Sequence, residues 1–467
     1  MKNNEKLQRL LKLQEDETNF NRSIGFFGSF CIMCGIIIGM GLFFSGHIVL
    51  INTGLNLGLA TVTWFLVGIF SLISALCYAE LGSMFPRSGG SNVYLREAYH
   101  PSLAFSEGFA GLFVGASGSI ATLALAFAMA VGAFIPIFSS FAGSRILAIV
   151  TIMILTIINI FDIKLGSIVQ NIFTIAKIIP ILVIAALGLF LGNYMPSFNF
   201  IQSNQISMST LGIFGLILAG VPFAIWAYEG WANINLVAEE IKNPKKNLSR
   251  SIVLSLLCVT LLYTVFNWGI FSSMPHQYLA SAALEGQVLG FLATEHLLGG
   301  FGLTFIVLGT IVSTFGSLNG MIMVFPRMYY TISNDIMLTK PLGKLHKKYK
   351  TPTNALIVSA IISCALVVLS LEQLMNLVVF NVLIYRILVL LSVFIFRHRY
   401  PELKRPYKTW GFPITNALAI IISLGILVNM FIQNIVINNN FTQLYGVLAI
   451  VVGILVYFVS NRIKPKY

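Results

Sequence analysis

The feature that most constrains this chain is a succession of apolar stretches, each about 20 residues long, separated by short polar segments. Each stretch is long enough to cross a hydrocarbon layer of about 30 Å. Backbone groups in that layer find no water, so a crossing segment satisfies its own hydrogen bonds, as an α-helix does. Only 10% of the 467 residues are charged, too few to cover the surfaces of soluble domains. The sequence therefore predicts an all-α membrane protein.

About twelve transmembrane helices account for these stretches. The predicted spans are 25–50, 57–81, 103–135, 146–160, 168–191, 211–238, 252–271, 301–331, 355–371, 374–395, 414–435 and 445–459. Residues 1–22 are polar and of mixed charge, without the apolar core or cleavage site of a signal peptide. We therefore expect a solvated or amphipathic tail that stays in the cytoplasm.

The basic residues alternate between successive loops and so assign a side to each loop. The loops assigned to the cytoplasm contain Arg87, Arg96, Lys164, Lys242, Lys245, Lys246, Arg250, Lys340, Lys344, Lys347, Lys348, Lys350, Arg397, Arg399, Lys404, Arg405 and Lys408, and the C-terminus adds Arg462, Lys464 and Lys466. The opposite loops have almost none, Arg145 being the exception. Short cytoplasmic loops are enriched in Lys and Arg, which predicts a multi-pass cell-membrane protein with both termini in the cytoplasm. The net charge of +13 thus indicates membrane topology and not a nucleic-acid partner.

Two of the predicted spans contain residues that disrupt a helix. The first has three glycines within residues 35–41, which either weaken the helix or allow close packing against a neighbour. The sixth has Pro222 and then Glu229 next to Gly230, and a carboxylate at that depth is unfavourable unless it has a function or a partner. The disrupted spans are five apart, so a second half repeating the first would have inverted topology. Paired broken helices of this kind predict a transporter binding site.

An unwound segment within a membrane has backbone groups that can bind a zwitterion. The free N–H groups at the N-terminus of a half-helix attract a carboxylate. The free carbonyls at the C-terminus of the other half attract an ammonium group. An α-amino acid has both groups on one carbon, so two adjacent breaks could bind it through backbone atoms, with glycines allowing close approach.

Ionisable residues at membrane depth are further candidates for function. Lys177 and Glu229 lie well inside predicted spans, where they form either a structural ion pair or part of the transport site. In the second interpretation, Lys177 is a fixed or titrating cation that replaces a sodium ion or couples transport to protons. Glu107 and Arg386 lie closer to cytoplasmic ends, and we expect them to extend toward water from there.

The sequence lacks the residue clusters of metal centres, catalytic sites and channel filters. Five cysteines fall in apolar stretches and are expected to be buried packing residues: Cys31, Cys34, Cys77, Cys258 and Cys364. Neither the C-x-x-C pair at 31–34 nor the six scattered histidines forms a ligand set, so we expect no metal or cofactor. The sequence shows no nucleophile–base set that would indicate an enzyme and no repeated filter that would indicate a channel. A sensor that binds a ligand without transporting it stays an alternative.

Several local motifs resemble one known family over residues 23–405. They are GIIIGMGLF at 35–43, YAELG at 78–82 with PRSGG at 86–90 and Tyr94, QNIFT at 170–174 with Lys177, FAIWAYEGW at 223–231 with EEIKNP at 239–244, and Asn319-Gly320, Pro326-Arg327, Tyr329-Tyr330 and Thr351-Pro352. In order and spacing these resemble the amino acid–polyamine–organocation superfamily. Within it the chain is most similar to L-type amino acid exchangers and bacterial serine/threonine or alanine-type relatives.

The resemblance implies a fold of two five-helix repeats of inverted topology followed by two additional helices. The segments it predicts are a cytoplasmic tail at 1–23, a first repeat at 24–192, an extracellular linker at 193–210, a second repeat at 211–396, a cytoplasmic loop at 397–411, and the additional helices with the C-terminus at 412–467. Helices 1 and 6 of this fold are the broken ones.

The resemblance also implies a set of site residues. The substrate carboxylate would bind N–H groups of Gly39, Met40 and Gly41, and its ammonium would bind carbonyls of Ile37, Trp226, Ala227 and Glu229. Trp226 would close the site from outside as an aromatic gate. Lys177 would occupy the place of a sodium ion, near Gly35 and Ser313, which implies sodium-independent transport.

The chain departs from the family pattern at three places. Met40 stands where a serine is usual, so a hydroxyl contact is lost. Glu229 stands where many relatives have glycine and some bacterial ones aspartate, and it could pair with a nearby cation, contact a cationic substrate or carry a proton. Residues 136–143 lack the cysteine that binds a heavy chain in eukaryotic relatives, so we expect no covalent partner subunit.

Together these observations predict a secondary transporter working by alternating access. We expect it to exchange small neutral L-amino acids without sodium across the cytoplasmic membrane, surrounded by lipid. A proton-coupled amino acid or polyamine permease on the same fold is the alternative.

Overall fold

A computed structural model of the protein describes residues 2–15, 22–161, 163–199, 210–333, 337–432, 435 and 441–462. Most of the predicted linker at 193–210, part of the tail at 1–23, the end of the predicted span at 414–435, and Lys464 and Lys466 lie outside the described residues. In the part that is described, the regular structure is helical apart from one isolated β-bridge between Ile24 and Ile241. The predicted all-α class is confirmed.

The α-helices of the described residues are numbered in chain order. They are α1 Lys2–Leu13, α2 Phe26–Ile37, α3 Met40–Phe44, α4 Gly46–Asn52, α5 Leu57–Met84, α6 Ser91–Ala98, α7 Pro101–Ala110, α8 Ala116–Gly132, α9 Phe141–Phe161, α10 Ile163–Leu191, α11 Thr210–Tyr228, α12 Pro244–Ser273, α13 His276–Leu284, α14 Leu289–Leu298, α15 Gly300–Val324, α16 Pro326–Ile332, α17 Thr353–Leu366, α18 Leu371–Arg399, α19 Ile414–Phe431 and α20 Thr442–Arg462. A π-helical turn, Gly111–Gly115, joins α7 to α8, and 3-10 segments cover Pro136–Ser139, Trp231–Glu240 and Met337–Gly343.

Eleven stretches of the described chain are long and apolar enough to cross a membrane. They are Phe26–Phe44, Leu57–Met84, Pro101–Gly132, Phe141–Phe161, Asn171–Leu191, Gly212–Glu240, Pro244–Ser273, Gly300–Ile332, Gln373–Arg399, Ile414–Phe431 and Gln443–Arg462. The apolar helix α17, which falls in the predicted span 355–371, has only 14 residues. A multi-pass membrane protein is thus confirmed, while the count of twelve spans and the inverted repeat stay predictions.

The outer surface of the bundle is apolar, as lipid contact requires. Large side chains such as Phe190 and Leu261 are exposed there, which would be unfavourable in water but not in hydrocarbon. Cys258 is also exposed and Cys364 is half-buried, so the expectation that all five cysteines are buried is wrong. The apolar pattern places both in spans, but it cannot separate the lipid-facing side of a helix from the packed side.

Both predicted helix interruptions are present. The first separates α2 from α3 at Ile38 and Gly39, whose φ/ψ values of −74°/83° and −116°/−152° are non-helical. The second follows α11, where Gly230 has φ +108°, a conformation that favours glycine. The two breaks touch, because a Cβ on Gly230 would lie 2.5 Å from Cγ2 of Ile36.

Small residues allow the helices that support these breaks to pack closely. A Cβ on Gly68 of α5 would lie 2.4 Å from Thr260 of α12, and one on Gly188 of α10 would lie 2.2 Å from the carbonyl oxygen of Gly269. Membrane helices associate through such close contacts because lipid gives no hydrophobic drive between them. Helix α12 is thereby fixed between α5 and α10, directly behind the interruptions.

The N-terminal tail is more ordered than the sequence indicates. Within it, α1 docks on the end of the bundle predicted to face the cytoplasm, with Leu10 fully buried. Arg9 forms an ion pair of 2.6 Å with Glu97 of α6. The Arg87 side chain donates to three carbonyl oxygens at the C-terminal end of α1, at 3.0–3.1 Å.

Candidate functional site

A cavity of about 150 Å³ lies where the two interrupted helices meet. Its walls also include α8, α15 and α18, and they combine small, apolar and polar side chains. The predicted substrate-binding residues all line it: Ile37, Gly39, Met40, Gly41, Trp226, Ala227 and Glu229. The structure thus brings together residues from two segments nearly 190 positions apart in the chain, and their contacts with substrate stay a prediction.

The N-terminus of α3 presents backbone donors to this cavity. The first residues of a helix have no carbonyl one turn earlier, so the N–H groups of Met40 and Gly41 lack an intrahelical acceptor. Gly39 differs, because its N–H donates to the carbonyl oxygen of Ile37 at 2.8 Å. Two of the three predicted carboxylate donors therefore belong to the first turn of a helix.

Three of the four carbonyls predicted to bind the ammonium group already have donors. The Tyr263 hydroxyl lies 2.9 Å from the Ile37 oxygen and 3.2 Å from the Ala227 oxygen, and the Glu229 N–H donates to Trp226 at 3.2 Å. A carbonyl oxygen accepts two hydrogen bonds, so the Trp226 and Ala227 oxygens keep capacity for a ligand. The Ile37 oxygen also accepts from the Gly39 N–H, so it has room for a ligand only when the single Tyr263 hydroxyl hydrogen is directed to Ala227. Sequence reasoning missed Tyr263, because nothing in its spacing links a tyrosine of α12 to either break.

Lys177 connects α10 to the first interruption and to α15. Its side chain is fully buried, and the ammonium donates to the carbonyl oxygens of Gly35 at 2.6 Å and Ile38 at 2.5 Å and to Ser317 Oγ at 3.0 Å. The carbonyl oxygen of Ser313 lies 3.5 Å away. The predicted proximity of Lys177 to Gly35 and Ser313 is confirmed, whereas Ser317 was missed.

Glu229 is paired, but not with Lys177. The Nη2 of Arg386 lies 2.5 and 2.7 Å from the two carboxylate oxygens. The guanidinium also lies over the ring of Trp231, 5.1 Å from its centroid. The interpretation of Lys177 and Glu229 as one ion pair is wrong, and pairing of Glu229 with another nearby cation is what the structure shows.

The expectation that Arg386 and Glu107 extend toward water is also wrong. Arg386 is only 2% exposed, because α18 continues to Arg399 and leaves it well inside the helix beside a carboxylate. Glu107 is 8% exposed and lines the cavity. Both residues lie on helix faces that point to the interior of the bundle. The distance of a residue from the end of a predicted span does not reveal which way its helix face points.

These features define a class: a multi-pass helical membrane protein with a polar site at two adjoining helix breaks. The sequence matches the amino acid permease family over residues 24–456. The chain therefore belongs to the amino acid permease family, as the motifs predict.

Individual relatives cover most of the chain. The b(0,+)-type amino acid transporter 1 of Rattus norvegicus is 30% identical over 462 residues, which is 96% of this chain and 90% of that protein. The serine/threonine exchanger SteT of Bacillus subtilis is 30% identical over 87% of this chain and 91% of its own length. The large neutral amino acids transporter small subunit 2 of Mus musculus is 30% identical over 83% of this chain and 72% of its own length. These relatives are transporters, in agreement with the expectation that the chain is not an enzyme.

Proposed function

We propose that this protein exchanges small neutral L-amino acids across the cell membrane by sodium-independent alternating access. The observation that carries the proposal is the meeting of both helix interruptions at one cavity, with the Lys177 ammonium bound to the first. The relatives named as transporters and exchangers support it. Both termini are proposed to be cytoplasmic, and the protein to act without a covalently bound heavy chain.

The substrate is proposed to bind through its α-carbon groups. Its carboxylate accepts hydrogen bonds from the start of α3, where free N–H groups and the helix dipole favour an anion. Its ammonium donates to the carbonyls of Ile37, Trp226, Ala227 and Glu229, sharing two of them with Tyr263. Trp226 is half-buried at the cavity wall and is proposed to cover the bound substrate.

Lys177 supports sodium independence. Oxygen atoms are the ligands that hard cations prefer, and three carbonyls and a hydroxyl surround the ammonium within 3.5 Å. The protein's own cation therefore occupies a set of oxygens that could otherwise bind a metal ion. It links α10 and α15 to the first interruption without an ion from the solution.

The test is uptake of a radiolabelled amino acid panel into proteoliposomes in sodium-free buffer. Uptake that requires unlabelled amino acid inside the vesicles would support exchange and identify the substrate class. Uptake that requires sodium, or no uptake of any amino acid by folded protein, would contradict the proposal.

A proton-coupled amino acid or polyamine permease is the second candidate. It is favoured by Glu107, whose carboxyl group lines the cavity without an ion-pair partner among the described residues. Uptake into empty vesicles that an imposed pH gradient accelerates would support this candidate over exchange.

A further inference from the structure

The loop between α18 and α19, residues 400–413, is folded closely against the bundle. The guanidinium of Arg405 donates to four backbone carbonyl oxygens of residues 396–403, at 2.8–3.1 Å. Its Nε also lies 3.6 Å from the carboxylate of Glu80, a buried residue of α5. One side chain thus closes the turn after α18, and the exposed side chains of the loop project from an ordered backbone.

Glu80 fixes the second half of the same loop. Its carboxylate accepts a hydrogen bond of 2.7 Å from the Thr409 N–H and forms an ion pair of 2.6 Å with Arg397. Thr409 is buried and stands between Lys408 and Trp410, both of which are exposed. The contact with α5 therefore holds these two neighbours at the surface of the molecule.

The exposed cations of this surface differ from the two arginines that Glu80 binds. Lys404 and Lys408 are exposed, as is Arg399 at the end of α18, and none of the three forms an ion pair with another of the described residues. Gln14 contacts Lys404 only through the backbone N–H and carbonyl groups of that lysine, at 3.2 and 2.7 Å. Glu402 is the one acidic residue of the loop, so the surface is positively charged.

An apolar surface begins directly beside these cations. Trp410 is 82% exposed, and Ile414, Leu418 and Ile421 follow it at helical spacing as exposed residues of α19. Helix α19 is one of the stretches able to cross a membrane. Tryptophan is enriched where the hydrocarbon meets the lipid headgroups, because its indole ring is apolar but has an N–H donor. Trp410 therefore marks the headgroup level, and Lys408 lies two residues from it.

We propose that the loop at residues 400–413 binds anionic phospholipids of the surrounding membrane. The ammonium groups of Lys404 and Lys408 bind the headgroup phosphate, and the Trp410 ring lies against the adjoining part of the acyl chains. Basic side chains near a membrane surface attract anionic lipids. A zwitterionic lipid has the same phosphate but also its own cation, so it binds more weakly. The site is independent of the transported substrate.

Trp410 can serve as the reporter in the test, because brominated acyl chains quench the fluorescence of a tryptophan that they contact. The full-length protein is reconstituted in phosphatidylcholine bilayers with an equal fraction of brominated phosphatidylglycerol or brominated phosphatidylcholine. Subtracting the emission of Trp410→Phe isolates the Trp410 signal from those of the other tryptophans. We expect the anionic lipid to be preferred at Trp410 at least about tenfold, since each lysine near the surface contributes about fivefold.

The lysines are tested together. Lys404→Gln with Lys408→Gln should lower the preference for the anionic lipid at least about fivefold. The loop should keep its fold in this variant, because Gln14 binds only the backbone of Lys404 and Arg405 closes the turn. The matched control is Lys344→Gln with Lys347→Gln, which removes two exposed lysines from the segment before α17 and should leave the preference unchanged.

Equal quenching by the two brominated lipids in the wild-type protein would overturn the inference, whether or not the variants fold. An unchanged preference in the variant of Lys404 and Lys408, or an equal loss in the control, would also overturn it. Quenching by neither lipid would show that protein, such as a second copy of the chain, covers Trp410. Loss of the preference in inorganic phosphate, but not in chloride of equal ionic strength, would assign the site to free phosphate and contradict the lipid.

Discussion

Lys177 donates to backbone carbonyls that the helix break leaves without helical partners. The carbonyls of Gly35 and Ile38 lie at the end of α2, where no following turn donates to them. A buried carbonyl without a donor costs about 1–3 kcal/mol, so the ammonium and the hydroxyls of Ser313 and Ser317 together stabilise the unwound geometry. The same oxygens give the ammonium hydrogen bonds in place of hydration.

Replacing Lys177 should therefore impair transport through the first interruption. We expect Lys177→Ala to lower amino acid uptake at least about tenfold, because the break loses the charged donor that connects it to α10. The measurement is initial uptake rate in proteoliposomes, normalised to folded protein. Lys347→Ala, which removes an exposed lysine, is the control and should retain activity. Full activity in Lys177→Ala would remove this residue from the mechanism.

The ion pair between Glu229 and Arg386 permits a second prediction at the residue scale. Breaking a buried pair leaves an unpaired charge, which costs about 3–5 kcal/mol. Arg386→Gln should therefore lower the midpoint of thermal unfolding, and adding Glu229→Gln to it should recover part of the loss. The matched control is the pair of Arg9 and Glu97, in which Arg9 is 57% exposed.

Removing the exposed pair should shift the midpoint little, since such pairs contribute about 0–1 kcal/mol. Equal effects of Arg386→Gln and Arg9→Gln would contradict the assignment of Arg386 to a buried pair. So would a double variant whose loss equals the sum of the two single losses.

The site features that were predicted correctly are those that a local residue pattern or a family motif encodes. The glycines of the first break and the position of Lys177 follow from motifs that resemble the family. Tyr263 was missed because it contacts Ile37, 226 positions away in the chain. The expectation that Arg386 extends toward water was wrong for the same reason. The residue pattern along one helix does not show which face of that helix meets Glu229.

At the scale of the elements, backbone conformation explains why both breaks were predictable. Glycine clusters weaken a helix wherever they occur, so the interruptions after Ile37 and Tyr228 depend on local chemistry. The length of α17 was not predictable in this way. Its apolar sequence extends beyond Leu366, but the helix ends there and a Ser370 capping box starts α18.

Gly230 allows a test of the second break. Its φ of +108° is strained for any residue with a Cβ, and a Cβ there would also approach Ile36 to 2.5 Å. Gly230→Ala should therefore destabilise the protein by about 1–3 kcal/mol and reduce uptake. The control is Gly425→Ala in α19, where a Cβ meets nothing within 4 Å.

The control should be neutral or stabilising by up to about 1 kcal/mol, because alanine favours a helix over glycine. The midpoint of thermal unfolding and the uptake rate measure both effects. If the two alanine variants behave alike, the conformation assigned to Gly230 is wrong.

At the scale of the whole molecule, the apolar surface and loop charges predict a membrane bundle, but not how its N-terminal helix is placed. Helix α1 and the residue just after it contact two separate segments of the chain at one end of the bundle. Arg87 binds its C-terminal carbonyls, and Gln14 just beyond it donates to the Lys404 carbonyl at 2.7 Å. These contacts join sequence positions up to 390 residues apart, which no local pattern encodes.

Arg87 should be the main anchor of α1, because one guanidinium donates to three carbonyl oxygens at and just beyond the helix end. We expect Arg87→Ala to release the helix and to accelerate tryptic cleavage after Arg9 and Lys12 several-fold in the folded protein. Glu97→Gln should have a smaller effect, because its partner Arg9 is largely exposed and such pairs are weak. Cleavage of Arg87→Ala at the wild-type rate would show that burial of Leu10, and not the guanidinium, holds α1 against the bundle.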